Sequence, residues 1–285
     1  MRPIELPRSA VVRGALCDEI AAALEALWER RRPNDDSMHE VRKDLKRARA
    51  ALRLLRDAVG DAAYERENHE LRDAARPLSG VRDAAVGLEM VRGLLDEEKK
   101  PARRQMLADL RRRLLEERER ARRKLFGGPR LAAIESSLQE AGERAEYWRY
   151  PAHDAPLRAG LERLYRKGRK ALKAARSKAS IESLHESRKQ VKYLEQALTI
   201  AANGSGRLRK LSRRAGKVAD RLGDDHDLAA VQARLVAMPA RSAAEAKLLA
   251  RIDARRAKLQ KKAFKLARRV YRRKPAAFVR KLLSA

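Results

Sequence analysis

The chain has 285 residues, with 69 Lys or Arg against 39 Asp or Glu, a formal charge of +30. That excess points to an anionic partner, and a single cysteine, Cys17, excludes an internal disulfide or a structural zinc site. With 14 Gly, 10 Pro and 38% charged residues, the composition favours long amphipathic helices and an all-α fold over a turn-rich β protein.

Taken in chain order, periodicity predicts helices over 9–31, 36–59, 62–79, 81–97, 102–126 and 131–147 in the first half. The clearest is 36–59, where Val41, Leu45, Ala48, Leu52, Leu55 and Val59 recur at steps of three and four, a buried stripe on one side. Pro33, Gly60, Pro101 and Gly127-Gly128-Pro129 punctuate these segments. A break between Tyr150 and Pro156 marks the boundary: a first repeat over 1–149, a linker over 150–155 and a second repeat over 156–285. The second half predicts helices over 156–176, 180–202, 206–222, 225–237 and 242–272, with a short terminal helix over 276–284. Arg2, Glu5, Arg8 and Arg13 interrupt the apolar stretch that a secretory signal needs, and no run reaches the roughly 18 apolar residues of a membrane span. The expectation is a cytoplasmic protein with no membrane partner.

After the break the first half begins again. His39-Glu-Val-Arg42-Lys43-Asp-Leu-Lys46 aligns with His185-Glu-Ser-Arg188-Lys189-Gln-Val-Lys192 at an offset of 146 residues, and Leu78-Ser-Gly-Val-Arg82-Asp83 aligns with Leu222-Gly-Asp-Asp-His226-Asp227 at 144. Two matched blocks at nearly one offset argue for a duplicated helical bundle of about four main helices per repeat.

On a helix, His39, Arg42, Lys43 and Lys46 share one face, extended by Arg49 and Arg53; His185, Arg188, Lys189 and Lys192 repeat it. Like charges at this spacing repel, so each row, read as having few interleaved acids, calls for a counter-anion. A solvated face would also carry such a row, but its recurrence at the same place in both halves favours a site. Metal ligation fits poorly, because neither helix offers a second His, Cys or carboxylate on the face of its histidine. Arg82 standing where His226 stands in the other repeat agrees, since both donate to an oxyanion but Arg ligates no metal. Asp83 and Asp227, the shared acids, are expected to hold Arg or His side chains in place or to cap a helix. Outside the blocks, Arg207, Arg209, Lys210, Arg213, Arg214, Lys217 and Arg221 stand against Asp220 alone, and 251–274 carries twelve Lys or Arg against Asp253.

These blocks resemble the CHAD domain, the conserved histidine α-helical domain, over nearly the whole chain and in the family's order. The resemblance implies two helical-bundle repeats related by a pseudo-twofold, a basic central surface or channel, and non-catalytic binding of inorganic polyphosphate. The ligand set it implies is His39, Arg42, Lys43, Lys46, Arg49, Arg53, Arg82, His185, Arg188, Lys189, Lys192 and His226, to which the dense basic stretch adds Arg207, Lys210 and Arg214. No catalytic residue, metal or cofactor is expected, and a possible role is targeting to polyphosphate granules. Many such domains follow a triphosphate-tunnel domain; no Glu-x-Glu-x-Lys signature appears near the start, so a stand-alone protein is expected. One departure is Glu195 at the place of Arg49, which points to an unequal grip by the two helices. A nucleic-acid or nucleoid-binding protein is the alternative, and a phosphoanhydride-processing enzyme the lesser one. Only 4% of residues are aromatic, which offers little surface for base stacking.

Overall fold

Apolar residues three and four apart fold the described residues into eleven α-helices with no strand in the computed structural model, which describes residues 9–28, 35–151, 153–202, 205–238 and 243–283. The first half supplies α1 (Ser9–Trp28), α2 (Asp35–Val59), α3 (Asp61–Ala75), α4 (Ser79–Glu97), α5 (Pro101–Phe126) and α6 (Arg130–Glu146). The second supplies α7 (Ala155–Ser177), α8 (Ile181–Ala201), α9 (Gly206–Val236), α10 (Ala243–Val270) and α11 (Pro275–Leu283).

The punctuation seen in the sequence acts locally. Gly60 takes φ +86° between α2 and α3, a left-handed backbone that favours glycine. Pro101 and Pro156 sit in the first turns of α5 and α7, where a missing N–H costs nothing. The Ser180 hydroxyl accepts the Ser183 N–H at 3.1 Å and so caps α8.

One expected break is absent. The segments 206–222 and 225–237 form the single helix α9. In the first half Pro77 separates α3 from α4, since it lacks an N–H and crowds the preceding turn. The aligned residue in the second half is Arg221, which keeps its N–H. Gly223 lies within α9 as well, where its bare Cα leaves room for the Arg188 guanidinium, with Nε 3.3 Å from where a Cβ would stand. The helix expected to run to 79 ends at Ala75 instead. The expected limits at 31, 242 and 284 lie outside the described residues.

Packing follows the chain, with α1 along α2, α4 along α5, α7 along α8, and α9 flanked by α8 and α10. The halves meet where α2 lies against α7 and α8, and where α4 meets α9. At the α2–α7 crossing a Cβ on Gly160 would lie 2.7 Å from the Leu54 carbonyl oxygen, so only glycine allows that approach. The main core draws on both halves, from Val12, Leu45 and Leu52 to Leu161, Leu194 and Leu222. A smaller cluster joins Val91, Leu107 and Leu114 to Leu228, Val231 and Ile252, sealing α4 and α5 against α9 and α10. Buried acids pin the periphery: Glu67, 2% exposed, accepts two hydrogen bonds from Arg144 of α6 at 2.9 and 3.0 Å. Among the described residues, no helix is long and apolar enough to cross a membrane.

Candidate anion-binding site

Because α2 lies against α8, their matched basic faces open into one cleft of about 540 Å³. Arg42, Lys46 and Arg49 line it from α2, and His185, Arg188, Lys189 and Lys192 from α8. The far wall is α9, with Asp220, Gly223, Asp224 and Asp227. Residues 146 positions apart in sequence are thus brought to a single concave surface.

Crowding of like charge shows in the protonation equilibria. Lys46 reaches solvent in the cleft, yet desolvation by the surrounding protein, then Arg42, Arg188 and Lys192, push its ammonium down to about 8. Desolvation likewise moves the Arg42 guanidinium downward, opposed by Asp83 and reinforced by Arg82 and Arg188. His185 and His226 lie with ring centroids 4.7 Å apart. Desolvation first, then the neighbouring imidazole or Arg188, lowers both below the usual histidine range. His39 is lowered by desolvation and then by Arg82. Asp227 is raised by desolvation, against the pull of Arg188. Among the described residues, no group of three His, Cys, Asp or Glu converges as metal ligands would.

The two central arginines are held differently. Arg42 donates to the Ala75 carbonyl at 3.1 Å and to the Ser79 hydroxyl, which ties it to the α3–α4 junction. Arg188 instead lies over Gly223, which the second matched block places opposite Ser79. Its guanidinium therefore presents more free N–H groups to the cleft.

The rows are not as bare of acids as the sequence suggested. Glu40 pairs with Lys43, Glu186 with Lys189, and Glu195 with Lys192 at 2.7 Å. Each acid lies three residues from its lysine on the same helix, a spacing that makes them neighbours. Lys43, paired in this way, is not part of the cleft wall, and neither is His39. Arg53 is also drawn away: it stacks 3.7 Å from the Tyr193 ring centroid and donates to the Asn68 side chain at 3.1 Å. Asn68 accepts from Arg49 as well, at 3.2 and 3.3 Å, so Arg49 lines the cleft while fixed from behind.

The second matched block sits next door. Arg82 lines an adjoining cavity of about 280 Å³ with Arg255, and shares Asp224 and Asp227 with the cleft wall. Among the described residues neither Asp83 nor Asp227 forms an ion pair within 4 Å, although Asp83 acts electrostatically on Arg42 and His226, and Arg188 on Asp227. Asp225, 1% exposed, accepts from Arg256 at 3.1 Å and from Gln260 at 2.9 Å, and so fastens α9 to α10 behind the cleft. Its position beside His226 was visible in sequence; its partners, on another helix, were not. Tyr193, Gln196 and Gly223 complete the wall without having been singled out for it.

Arg207, Lys210 and Arg214 do not reach the cleft. They line a separate cavity of about 150 Å³ with Arg269, Arg273 and Lys281, near the C-terminal end of α10. The largest cavity, about 1050 Å³ between α7 and α10, is lined by Arg166, Arg169, Lys173 and Arg268 around Leu172 and Phe264. It contains none of the sequence-predicted residues; it is wide because α7 and α10 scarcely pack on each other, so its size says less about binding than the convergence of the matched rows.

Among the described residues, an all-helical architecture in which two matched basic helices open into one cleft defines the class of fold. The CHAD domain model matches residues 15–236, and the chain belongs to that family. Among solved structures, PptA from Streptomyces chartreusis is similar at 17% identity and a TM-score of 0.64, covering 94% of this chain and 100% of that one. The crystal structure of the CHAD domain from the plant Ricinus communis is similar at 20% identity and a TM-score of 0.59, covering 99% and 93%. At these identities the likeness establishes the fold. No curated protein matches the chain.

Proposed function

We propose that this chain binds inorganic polyphosphate without processing it, through the cleft between α2, α8 and α9. The observation that carries the reading is the meeting of Arg42, Lys46, Arg188 and Lys192 around one cleft, where desolvation and then the neighbouring cations lower the Lys46 ammonium to about 8. Such crowding is relieved by a ligand that brings an anionic group at every repeat, and arginine forks match phosphate oxygens. Membership of the CHAD family supports the same ligand. Single-stranded nucleic acid is disfavoured by the wall itself: its one aromatic, Tyr193, is already covered by Arg53 and offers no open face for a base. Attachment to polyphosphate granules is a consequence of such binding in a cell that makes them.

Competition at about 0.15 M salt between long-chain polyphosphate and duplex DNA of equal total charge tests this. Polyphosphate is expected to win by at least tenfold; equal affinity would replace the reading with a nucleic-acid one. Replacing Arg42, Lys46, Arg188 and Lys192 with Ala should weaken polyphosphate binding about a hundredfold with helix content unchanged. Incubation with polyphosphate and Mg²⁺ should leave the chain-length distribution constant, whereas release of phosphate would make the protein an enzyme.

A further inference from the structure

The second half of the molecule carries more positive charge than the cleft uses. On α9, Arg207, Lys210, Arg214, Lys217 and Arg221 recur at steps of three, four, three and four, so they form one stripe. On the antiparallel neighbour α10, Lys258, Lys262, Lys265 and Arg269 recur at four, three and four. Cavities along the seam between these helices bring the stripes together. One is lined by Lys217, Arg221, Lys262 and Lys265, and the next by Lys210, Arg214, Arg269 and Arg273. The first also contains Asp220 and Asp224, which belong to the wall of the central cleft, so seam and cleft are continuous.

Two observations set this seam apart from an ordinary solvated face. Lys210, Arg214, Lys217, Lys262, Lys265 and Arg269 are exposed, and none has a carboxylate within ion-pair range among the described residues. The corresponding helix in the first half, α3, interleaves Asp61, Glu65, Glu70 and Asp73, so the fold does not require so basic a stripe there; on α9 the acids Asp220 and Asp224 stand only at the cleft end, where Asp224 pairs with Arg221 at 3.2 Å. From Arg207 to Arg221 the stripe spans fourteen residues, about 21 Å of helix.

We infer that the α9–α10 seam is a second track for the same polymer, along which a long polyphosphate chain continues from the central cleft toward the C-terminal corner. The inference rests on the polyphosphate reading of the cleft and adds a chain-length dependence to it. Short chains are held by the cleft alone; long chains gain the seam. Because the first half has no such seam, the polymer leaves the cleft in one preferred direction.

The test compares tripolyphosphate with long-chain polyphosphate on the full chain and on a variant carrying Lys217→Ala, Lys262→Ala, Lys265→Ala and Arg269→Ala. All four side chains are exposed, so the variant keeps its fold, and circular dichroism checks this. Tripolyphosphate affinity should be unchanged, while long-chain affinity falls at least tenfold. The salt dependence for the long chain should flatten by about 3 in log–log slope, at about 0.7 per lost contact by analogy with single-stranded nucleic acid. Unchanged long-chain affinity and slope would overturn the seam while leaving the cleft standing, provided that the cleft variant still loses both ligands. If wild-type protein prefers DNA, the underlying reading fails first. A seam variant that loses DNA but not polyphosphate would also overturn the inference.

Discussion

Lys46 stands at the point where two helices of like charge converge, and desolvation first, then Arg42, Arg188 and Lys192, depress its pKa. The sign follows from linkage: a lysine whose folded pKa lies below its unfolded 10.5 contributes its full stability only above 10.5, and loses it as pH falls through about 8. At neutral pH the charged side chain therefore opposes folding. Lys46→Gln is expected to raise the melting temperature of the free protein by about 2 °C, a value reduced by solvent screening in the open cleft, and to weaken polyphosphate binding. A differential scanning experiment with and without ligand reads both effects. The histidines follow the same logic at lower pH. His39, His185 and His226 all titrate below the usual 6.5, so their contribution is complete above that pH and is lost as pH falls through the lowered values. A polyanion favours the imidazolium, so binding should take up protons and tighten between pH 6.5 and 5.5, while the free protein loses stability over the same interval. Titration calorimetry in buffers of different ionisation enthalpy measures that uptake; His185→Gln with His226→Gln should abolish most of it.

Among the elements, α9 does the most to position the cleft, because it supplies one wall and is itself fixed from behind. That fixing depends on Asp225, whose carboxylate meets Arg256 and Gln260 out of solvent. Asp225→Ala would leave the Arg256 guanidinium, 13% exposed, without its buried partner. A loss of about 3 kcal/mol is expected, readable as a lower urea midpoint, with polyphosphate affinity falling less than in variants of the cleft itself. The helix also shows how the two halves differ around a matched sequence block. Arg221 at the place of Pro77 makes one helix of what are two in the first half, and it lets a basic stripe run from Arg207 to Arg221 on the same helix that supplies Asp220, Asp224 and Asp227 to the cleft wall. Gly223→Ala tests the packing of Arg188: an added methyl at 3.3 Å displaces the guanidinium, and binding should weaken about tenfold while helix propensity improves.

For the whole molecule, a formal charge of +30 is a self-repulsion that salt and polyanions relieve. The melting temperature of the free protein should rise as salt increases from about 20 mM to 200 mM, since screening acts over roughly a Debye length. Long-chain polyphosphate at about a hundred times its dissociation constant should stabilise the protein by about 2.7 kcal/mol at low salt, and by much less as salt rises. The all-α class, the limits of most helices and the paired motifs were legible in the sequence because helical periodicity and short matched blocks are local properties. The same local reading placed Arg42, Lys46, Arg188 and Lys192 correctly on shared faces. The pairs of Glu40, Glu186 and Glu195 with neighbouring lysines are local i,i+3 contacts that the reading passed over, but it could not show that Arg53 is spent on Tyr193 and Asn68, or that Arg207, Lys210 and Arg214 lie outside the cleft. Those outcomes depend on which side chains meet once α2, α8, α9 and α10 pack, and charge on a helix face carries no record of its partner across space. From the sequence alone the protein reads as helical and strongly basic, with matched rows of cations that call for an anion. Tertiary structure alone decided which cations remain free to meet one, because packing chooses their counter-charges and desolvates some more than others.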